Sequence, residues 1–421
     1  MIAEILSTGD EVCSGAVIDS NAAFIADHLA RAGVRVARHT CVGDDLKEIC
    51  DAVSQIAGRA DIVVATGGLG PTMDDLTSEA VAMAAGAPLV EDQKALESIK
   101  AIFTRFSKSM TESDAKQAML PKGARPIIND AGTAPGFLLK ISKCSFFFLP
   151  GVPREMERML IRSVIPMIES ECLSDFSRQV SMQRIFSLFG IPEAEVNGRI
   201  KDLENKFKGI KIGMIARFPV IYVKLTGSGE DERATNQALE ESGRAVLERL
   251  GKWIFSEKGE TMEAVVGRLL RKSGATLGVA ESCTGGLIAD RVTNIAGSSD
   301  YFLFSAVTYA NSAKTGILGV DPGIIEKYGA VSEETTRAMA SGVLSICNAD
   351  FGIAVSGIAG PGGGSDDKPV GTLCVGLATS EKTISKKFWF PFPARLANKR
   401  IFSETALDML RRELLHSDPG N

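Results

Sequence analysis

The chain has 421 residues, 45% of them hydrophobic and 24% charged, with a formal net charge of -5. That length exceeds one ordinary core, and the composition is that of a folded globular chain, which sets extended disorder aside. The acidic balance argues against a nucleic-acid partner, whose footprint is basic, yet leaves local phosphate binding open, since a glycine loop or helix N-terminus binds phosphate without net charge. The start, MIAEILSTGDEV, has no basic segment followed by an apolar core, so no signal peptide is expected. No apolar run approaches the ~18 residues of a membrane span, and a cytoplasmic protein without membrane contact is expected. The eight cysteines never form CxxC and mostly sit in apolar segments, which reads as buried free thiols in a reducing compartment.

The first ~170 residues alternate strand and helix. IAEILS (2–7) reads as a buried strand, 20–32 as a helix stopped by Gly33, 34–42 as a strand, 45–57 as a helix and DIVVAT (61–66) as a strand. Such alternation implies a parallel sheet covered by helices, with ligands at the carboxyl ends of the strands. STGDEVCSGAVIDSN (7–21) and TGGLGPTMDDLT (66–77) both follow predicted strands; NDAGTAPGF (129–137) and LPGVPREM (149–156) complete the marked stretches. Glycines after strands let backbone approach phosphate closely. Asp74 and Asp75, and likewise Asp10 and Glu11, are placed to hold a hard divalent cation, as cleavage at a pyrophosphate requires. The plainer role for Asp74 or Asp75 is N-capping of the next helix. GxGxxG and GxxxxGK[ST] are absent here, which sets aside a standard dinucleotide fold or P-loop.

Residues 176–254 change character and read as a small α+β domain: strand QRIFSLFG, helix EAEVNGRIKDLENKF, strands KIGMIA and VIYVKLTG, and a helix over 231–250. No GxxG loop is found there, so a nucleic-acid clamp is not expected. From about 258 to 418 a third domain follows: a helix over 262–272 stopped at Gly274, strand ATLGVA, a helix opening at SCTGG, a strand over 302–309, a helix capped by Ser332, strands at 351–357, 371–379 and 382–390, and a long amphipathic helix over 394–415.

Four patches in this third segment carry chemistry: AESCTGG (280–286), AGSSDYF (296–302), VTYANSAK (307–314) and SGIAGPGGG (356–364). The only histidines are His28, His39 and His416, none in the body of the segment. A Ser-His-Asp triad, a Cys-His pair and a His-rich zinc site are therefore set aside. A Ser-Lys system remains, in which a partly buried lysine loses charge and takes the serine proton. Each residue also has a plainer role: Ser282 as a helix cap, Ser298 and Ser299 as turn residues, Lys314 as a solvated lysine and Cys283 as a packed small side chain.

AESCTGGLIADRVTNIAGSSDYF, VTYANSAK, GAVSEET and VSGIAGPGGGSDDKPVGT resemble the nicotinamide-nucleotide amidase domain of CinA proteins over about 160 residues. The resemblance implies hydrolysis of the amide of nicotinamide mononucleotide to nicotinate mononucleotide and ammonia, without a cofactor. It implies Ser282, Ser299, Tyr309 and Lys314 as the catalytic group, with Ser299 favoured over Ser282 as nucleophile and Lys314 as base. Thr284, Gly285 and Gly286 are expected to offer N–H donors at a helix start. Gly297, Ser298, Thr308 and Asn311 are expected beside the substrate, and the loop with Gly357, Gly360, Gly362 and Gly363 around its 5′-phosphate. The N-terminal stretches resemble the molybdopterin-binding, MoaB/Mog-like domain of CinA proteins, a three-layer α/β fold linked there to metal-dependent ADP-ribose pyrophosphatase activity. That resemblance implies a nucleotide site lined by Thr8, Gly9, Asp10, Glu11, Asn21, Thr66, Gly67, Gly68, Thr77, Gly132 and Thr133. It also implies a divalent metal (Mg, Mn or Co) on Asp10, Glu11, Asp74 and Asp75, with K+ as a further cation. Cys13 departs from the family's TGDELLxG pattern, which has leucine there. The middle segment resembles the KH-like domain of the same proteins, and a homodimer is implied. The expected architecture is thus three domains, 1–172, 176–254 and 258–418: MoaB/Mog-like α/β, KH-like α+β and α/β amidase. Two other readings stay open: a non-catalytic, competence- or damage-linked nucleotide-binding adaptor, and a molybdenum-cofactor enzyme.

Overall fold

The computed structural model describes residues 1–172 and 180–416. Residues 176–179 of the expected middle domain and 417–418 of the last one lie outside the described residues. The chain divides into two compact units, residues 1–182 with 227–237 and residues 183–226 with 238–421.

The strands of the first unit are β1 (Ile2–Thr8), β2 (Arg35–Val42), β3 (Ile62–Thr66), β4 (Leu89–Glu91), β5 (Met119–Pro121), β6 (Arg125–Ile127), β7 (Gly136–Ile141) and β8 (Cys144–Leu149). Six form one sheet in the order β2-β1-β3-β8-β7-β6, while β4 and β5 pair separately. β2, β1, β3 and β8 are parallel, but β7 and β6 are antiparallel. The expectation of a parallel sheet therefore holds only where helices intervene. Residues 142 and 143 alone join β7 to β8, too short for a parallel crossover. Ile62 and Val64 face one core with Ile5 and Ile25, and Val63 and Ala65 face another with Leu6 and Ile56. Burial on both faces explains the unbroken apolar run DIVVAT. The helices are α1 (Ser20–Arg31), α2 (Leu46–Ala57) and α3 (Thr77–Ala85). Asp19 and Asp45 cap α1 and α2. The N-cap of α3 is Leu76, with no side-chain cap, so Asp74 and Asp75 do not take the capping role.

Next come β9 (Val180–Phe189), β10 (Ile210–Arg217), β11 (Val220–Gly229), helix α4 (Glu232–Leu250) and β12 (Ile254–Ser256), with sheet order β10-β11-β9-β12. The second unit ends in a three-layer domain. Its strands are β13 (Leu277–Glu281), β14 (Phe302–Val307), β15 (Phe351–Gly357), β16 (Thr372–Ala378) and β17 (Thr383–Trp389). Their order is β14-β13-β15-β16-β17, the first three parallel and the last two antiparallel. The helices are α5 (Met262–Ser273), α6 (Leu287–Thr293), α7 (Asn311–Leu318), α8 (Glu333–Cys347) and α9 (Arg395–His416). Along β13, Leu277 and Val279 enter the core that α9 closes with Phe402 and Leu410, and Ala280 enters the opposite one with Met339 and Val343 of α8. Helix α9 is long as expected but not amphipathic along its middle: every residue from Ile401 to Leu410 is buried. The structure also corrects the thiols, since Cys13 and Cys41 are exposed and only Cys144, Cys283 and Cys374 are fully buried.

Three glycines let α8 lie against this sheet. Gly278 pairs with Gly352, and Gly376 lies opposite Ala354. A Cβ at Gly352 would stand 2.4 Å from the Ala340 oxygen, and one at Gly376 2.1 Å from the Thr336 oxygen. Backbone atoms cannot yield as a flexible side chain does, so even a methyl forces the helix outward. Gly376→Ala is expected to destabilise the protein by about 2 kcal/mol, read as a lower urea midpoint of the full chain with an unchanged slope.

Candidate active site

Residues alternate across a strand, so Glu281 and Ser282 at the end of β13 face opposite sides of the sheet. Glu281 is completely buried. One carboxylate oxygen accepts from Thr284 Oγ1 (2.6 Å), Gly286 N (3.0 Å) and Ile288 N (3.1 Å), and the other from Ala289 N (2.9 Å). The turn 282–286 is thereby closed and the N-terminus of α6 capped from within. This corrects two expectations. The helix opens at Leu287 with Gly286 as N-cap, so Ser282 is not its cap. The Gly286 N–H is taken by Glu281 and the Gly285 N–H by the Ser282 carbonyl, so neither is an open donor. Arg291 fixes α6 from its other end through Glu263 (2.6 Å) and Glu404 (2.6 Å).

On the other side, Ser282 meets Lys314. The chain leaves β14 through Thr308 and Tyr309, and α7 brings Lys314 back beneath the strand ends. Lys314 is 1% exposed. Its Nζ lies 2.9 Å from the Thr308 carbonyl, 3.1 Å from the Tyr309 carbonyl and 3.3 Å from Ser282 Oγ. No carboxylate is among those partners. Burial holds the ammonium below the ordinary lysine range. Nζ thus has three oxygen partners, two of them carbonyls that can only accept and the third a hydroxyl that can accept or donate. Cys283 beside it is a packed thiol, pushed up to about 12 by burial.

Ser299 is elsewhere. It sits with Ser298 in a short 3-10 turn, Ser298–Asp300, that precedes β14, next to Gly297. The Tyr301 carbonyl at that end accepts from Leu277 N, the first residue of β13, and Arg271 of α5 donates to the Ala296 carbonyl. Lys314 approaches the far end of β14, so the six-residue strand Phe302–Val307 separates it from Ser299. At about 3.3 Å per residue this is on the order of 16 Å. Gly297, Ser298 and Ser299 thus do not join Ser282 and Lys314 within one chain, as the family resemblance had implied they would.

Two further groups complete the carboxyl end. Arg395, at the start of α9, donates from Nη2 to the Tyr309 hydroxyl (2.9 Å) and from Nη1 to the Gly360 carbonyl (2.8 Å). Lys399, one turn on, lies 3.5 Å from where a Gly285 Cβ would stand. Neither residue was singled out from sequence, because an arginine and a lysine in a helical pattern carry no local mark. Gly357 passes close to Cys283, while Gly362 and Gly363 are open, which leaves their loop free to meet a ligand. Asn311 opens α7 and is exposed.

The first unit holds a cavity of about 360 Å³ at the carboxyl ends of β1, β3 and β8. Thr8, Gly9, Glu11, Asn21, Thr66, Gly67, Gly68, Asp74, Asp75 and Thr133 line it as expected. Asp10, Thr77 and Gly132 do not. The buried Thr77 hydroxyl donates to the Gly67 carbonyl and braces the TGG turn; Asp10 exchanges backbone bonds with Asp44; Gly132 lies against the Glu155 carboxylate. Asp44, Gln117 and Glu155 are lining residues that sequence reasoning missed. Asn21 Oδ1 and Gln117 Oε1 are buried acceptors without a hydrogen-bond partner among the described residues. Burial, together with the charges of Asp10, Glu11 and Asp74, raises the Asp44 carboxyl above its usual range. Thr72 instead holds Asp74 low by donating to it, and also donates to Asp75. Among the described residues no three His, Cys, Asp or Glu side chains stand together as a ready metal cage.

Comparison with known proteins adds the following. Residues 259–414 match the model of the CinA C-terminal domain, 4–170 that of a probable molybdopterin binding domain, and 183–256 that of the damage-inducible protein CinA KH domain. The chain is 51% identical to a CinA-like protein of Desulfosudis oleivorans, over 99% of this chain and 100% of that one. It is 44% identical to a CinA-like protein of Geobacter metallireducens, over 98% of each. A crystal structure described as the protein CinA with unknown function from Thermoplasma acidophilum is 37% identical, covers 40% of this chain and 96% of its own, and has a TM-score of 0.37.

The internal cap has a measurable consequence. Glu281→Ala leaves three backbone N–H groups and a buried hydroxyl without their acceptor, and is expected to cost about 3 kcal/mol. Denaturant unfolding of the full chain reads this out, and a loss below about 1 kcal/mol would contradict the role assigned to Glu281.

Proposed function

The chain belongs to the CinA family, and from that premise we propose that its C-terminal domain hydrolyses the amide of a nicotinamide mononucleotide, with Ser282 as nucleophile and Lys314 as base. The observation that carries this reading is the three-way environment of Lys314 Nζ: two carbonyls and one serine hydroxyl, in a setting that lowers the cost of the neutral amine. Lys314 takes the Ser282 proton as Oγ attacks the carboxamide carbon. The proton then passes to the leaving nitrogen, ammonia departs, and water activated by the same amine releases the acid. Tyr309 is the donor toward the carboxamide: its hydroxyl oxygen accepts from the Arg395 guanidinium, which orients the O–H and leaves its proton free to give. Arg395, Lys399 and the open Gly362–Gly363 turn suit the 5′-phosphate. Ser299, favoured on resemblance, yields the role to Ser282 because it lies at the wrong end of β14.

We also infer that the N-terminal cavity takes a nucleotide with a pyrophosphate, as an ADP-ribose pyrophosphatase site would. Its support is the lining of glycine turns at the strand ends, Gly9, Gly67 and Gly68, with the carboxylates Asp44, Glu11 and Asp74 along the same cavity, where burial and neighbouring negative charge raise Asp44 and a divalent cation would offset that charge. A cation there shares its shell with ligand phosphates and neutralises their charge.

Ser282→Ala and Lys314→Met are each expected to lower ammonia release from nicotinamide mononucleotide by at least ~10³-fold, while Ser299→Ala stays within a few-fold of the parent. The reverse pattern between the two serines would overturn the assignment. EDTA is expected to leave deamidation unchanged and to abolish pyrophosphate cleavage.

The pH dependence follows from burial. The folded Lys314 value is lowered, so in the window between it and the ordinary lysine value the unfolded chain holds a proton that the folded chain lacks. The residue's contribution to stability therefore rises with pH across that window. kcat is expected to rise with pH through the same lowered value, and Lys314→Met removes that limb of the stability profile together with activity.

A further inference from the structure

Cys13 closes the short Asp10–Cys13 helix after the TGD turn, and Cys41 lies near the end of β2. The two are 28 residues apart, yet their Sγ atoms are 3.2 Å apart. Both side chains are exposed and both are free thiols. The contact is built by the sheet. β1 and β2 run parallel with Ser7 opposite Cys41 and Thr8 opposite Val42, and the Gly9 N–H donates to the Val42 carbonyl at 3.0 Å. Asp10 and Asp44 then exchange backbone-to-carboxylate bonds, both at 3.1 Å. The helix carrying Cys13 is thus tied to the end of β2 on the side where Cys41 emerges, and closure to the ~2.05 Å of a disulfide asks for a shift of about 1 Å.

We propose that Cys13 and Cys41 are a dithiol modification site, oxidised to an intramolecular disulfide by a small-molecule disulfide such as oxidised glutathione. The Cys13 thiol gives its proton to solvent, and the resulting thiolate attacks one sulfur of that disulfide and expels one glutathione thiolate, which leaves a mixed disulfide on Cys13. Cys41 then gives up its proton and attacks the Cys13 sulfur, expelling the second glutathione. Two protein thiols are oxidised by two electrons and one glutathione disulfide is reduced to two thiols.

The order of attack follows from the surroundings. Burial, the bond to Cys13 and the negative charges of Asp19 and Glu11 push the Cys41 thiol up to about 12, so Cys41 is the poor first nucleophile and reacts once the mixed disulfide places a target beside it. The same surroundings deny the reduced form a stabilised thiolate, which favours persistence of the bond once made. Glu11, Val12 and Asp44 line the N-terminal cavity, so the bond would fix one wall of it. Among the described residues no other two thiols lie within hydrogen-bonding distance of each other: Cys347 Sγ, for example, bonds the Val343 carbonyl.

The test uses the full chain, incubated with oxidised glutathione, quenched by alkylation and digested without reduction. Expected is one cross-linked peptide pair joining Cys13 to Cys41, lighter by two hydrogens, reversed by dithiothreitol, with Cys144, Cys283 and Cys374 unreacted in the folded protein. Cys41→Ser is expected to stop at the mixed disulfide on Cys13, and Cys13→Ser to slow glutathione release at least ~10-fold. Recovery of Cys13 and Cys41 as separate alkylated or separately glutathionylated residues would overturn the proposal, as would cross-links distributed among other cysteines. Because the readout is covalent, its failure is independent of either proposed hydrolase activity.

Discussion

A primary amine stripped of water is the constraint on which the C-terminal domain turns. Lys314 is completely enclosed, and an isolated ammonium in such a place is costly. The fold meets that cost with two backbone carbonyls left over where β14 ends, Thr308 and Tyr309, and with one serine hydroxyl. Those carbonyls can face the amine because the chain leaves the sheet there, so no neighbouring strand claims them. The same three contacts satisfy the Nζ donors and hold the amine against the Ser282 hydroxyl.

The opposite face of the same strand end carries a second buried charge, handled differently. Glu281 gathers a hydroxyl and three N–H groups from the turn and helix that follow it. Its charge is balanced by the helix dipole rather than by a cation. Glu281, the last residue of β13, thus fixes the turn that begins at Ser282, while Ser282 itself meets Lys314 on the other side. Arg291, Glu263 and Glu404 then hold α6 so that the cap and the turn do not drift apart.

Both large domains use one solution. Each sheet has a parallel half whose carboxyl ends carry the glycine-rich turns, and an antiparallel half that completes the layer. The electrostatics differ. The C-terminal site brings Lys314, Arg395 and Lys399 to the carboxyl end of its sheet, whereas the N-terminal cavity is lined by the carboxylates of Asp44, Glu11 and Asp74.

The residues themselves determined a good deal. Apolar runs such as DIVVAT and FGIAVSG specified buried strands, since only strands covered on both faces lose their polar alternation. Gly274 and Ser332 marked a helix end and start through their own backbone and hydroxyl chemistry. The absence of histidine from the body of the last segment left a Ser-Lys pair as the available nucleophilic system. What sequence spacing could not decide was which serine meets the lysine. Ser282 and Ser299 both stand in turn-like motifs before Lys314, and the family resemblance favoured Ser299, yet a strand carries its two ends apart while a parallel neighbour brings a remote residue back. Arg395 reaches Tyr309 across 86 residues for the same reason. The three glycines under α8, the acceptors Asn21 Oδ1 and Gln117 Oε1, and the meeting of Cys13 with Cys41 are likewise products of register between elements, a quantity that no local pattern of residues encodes.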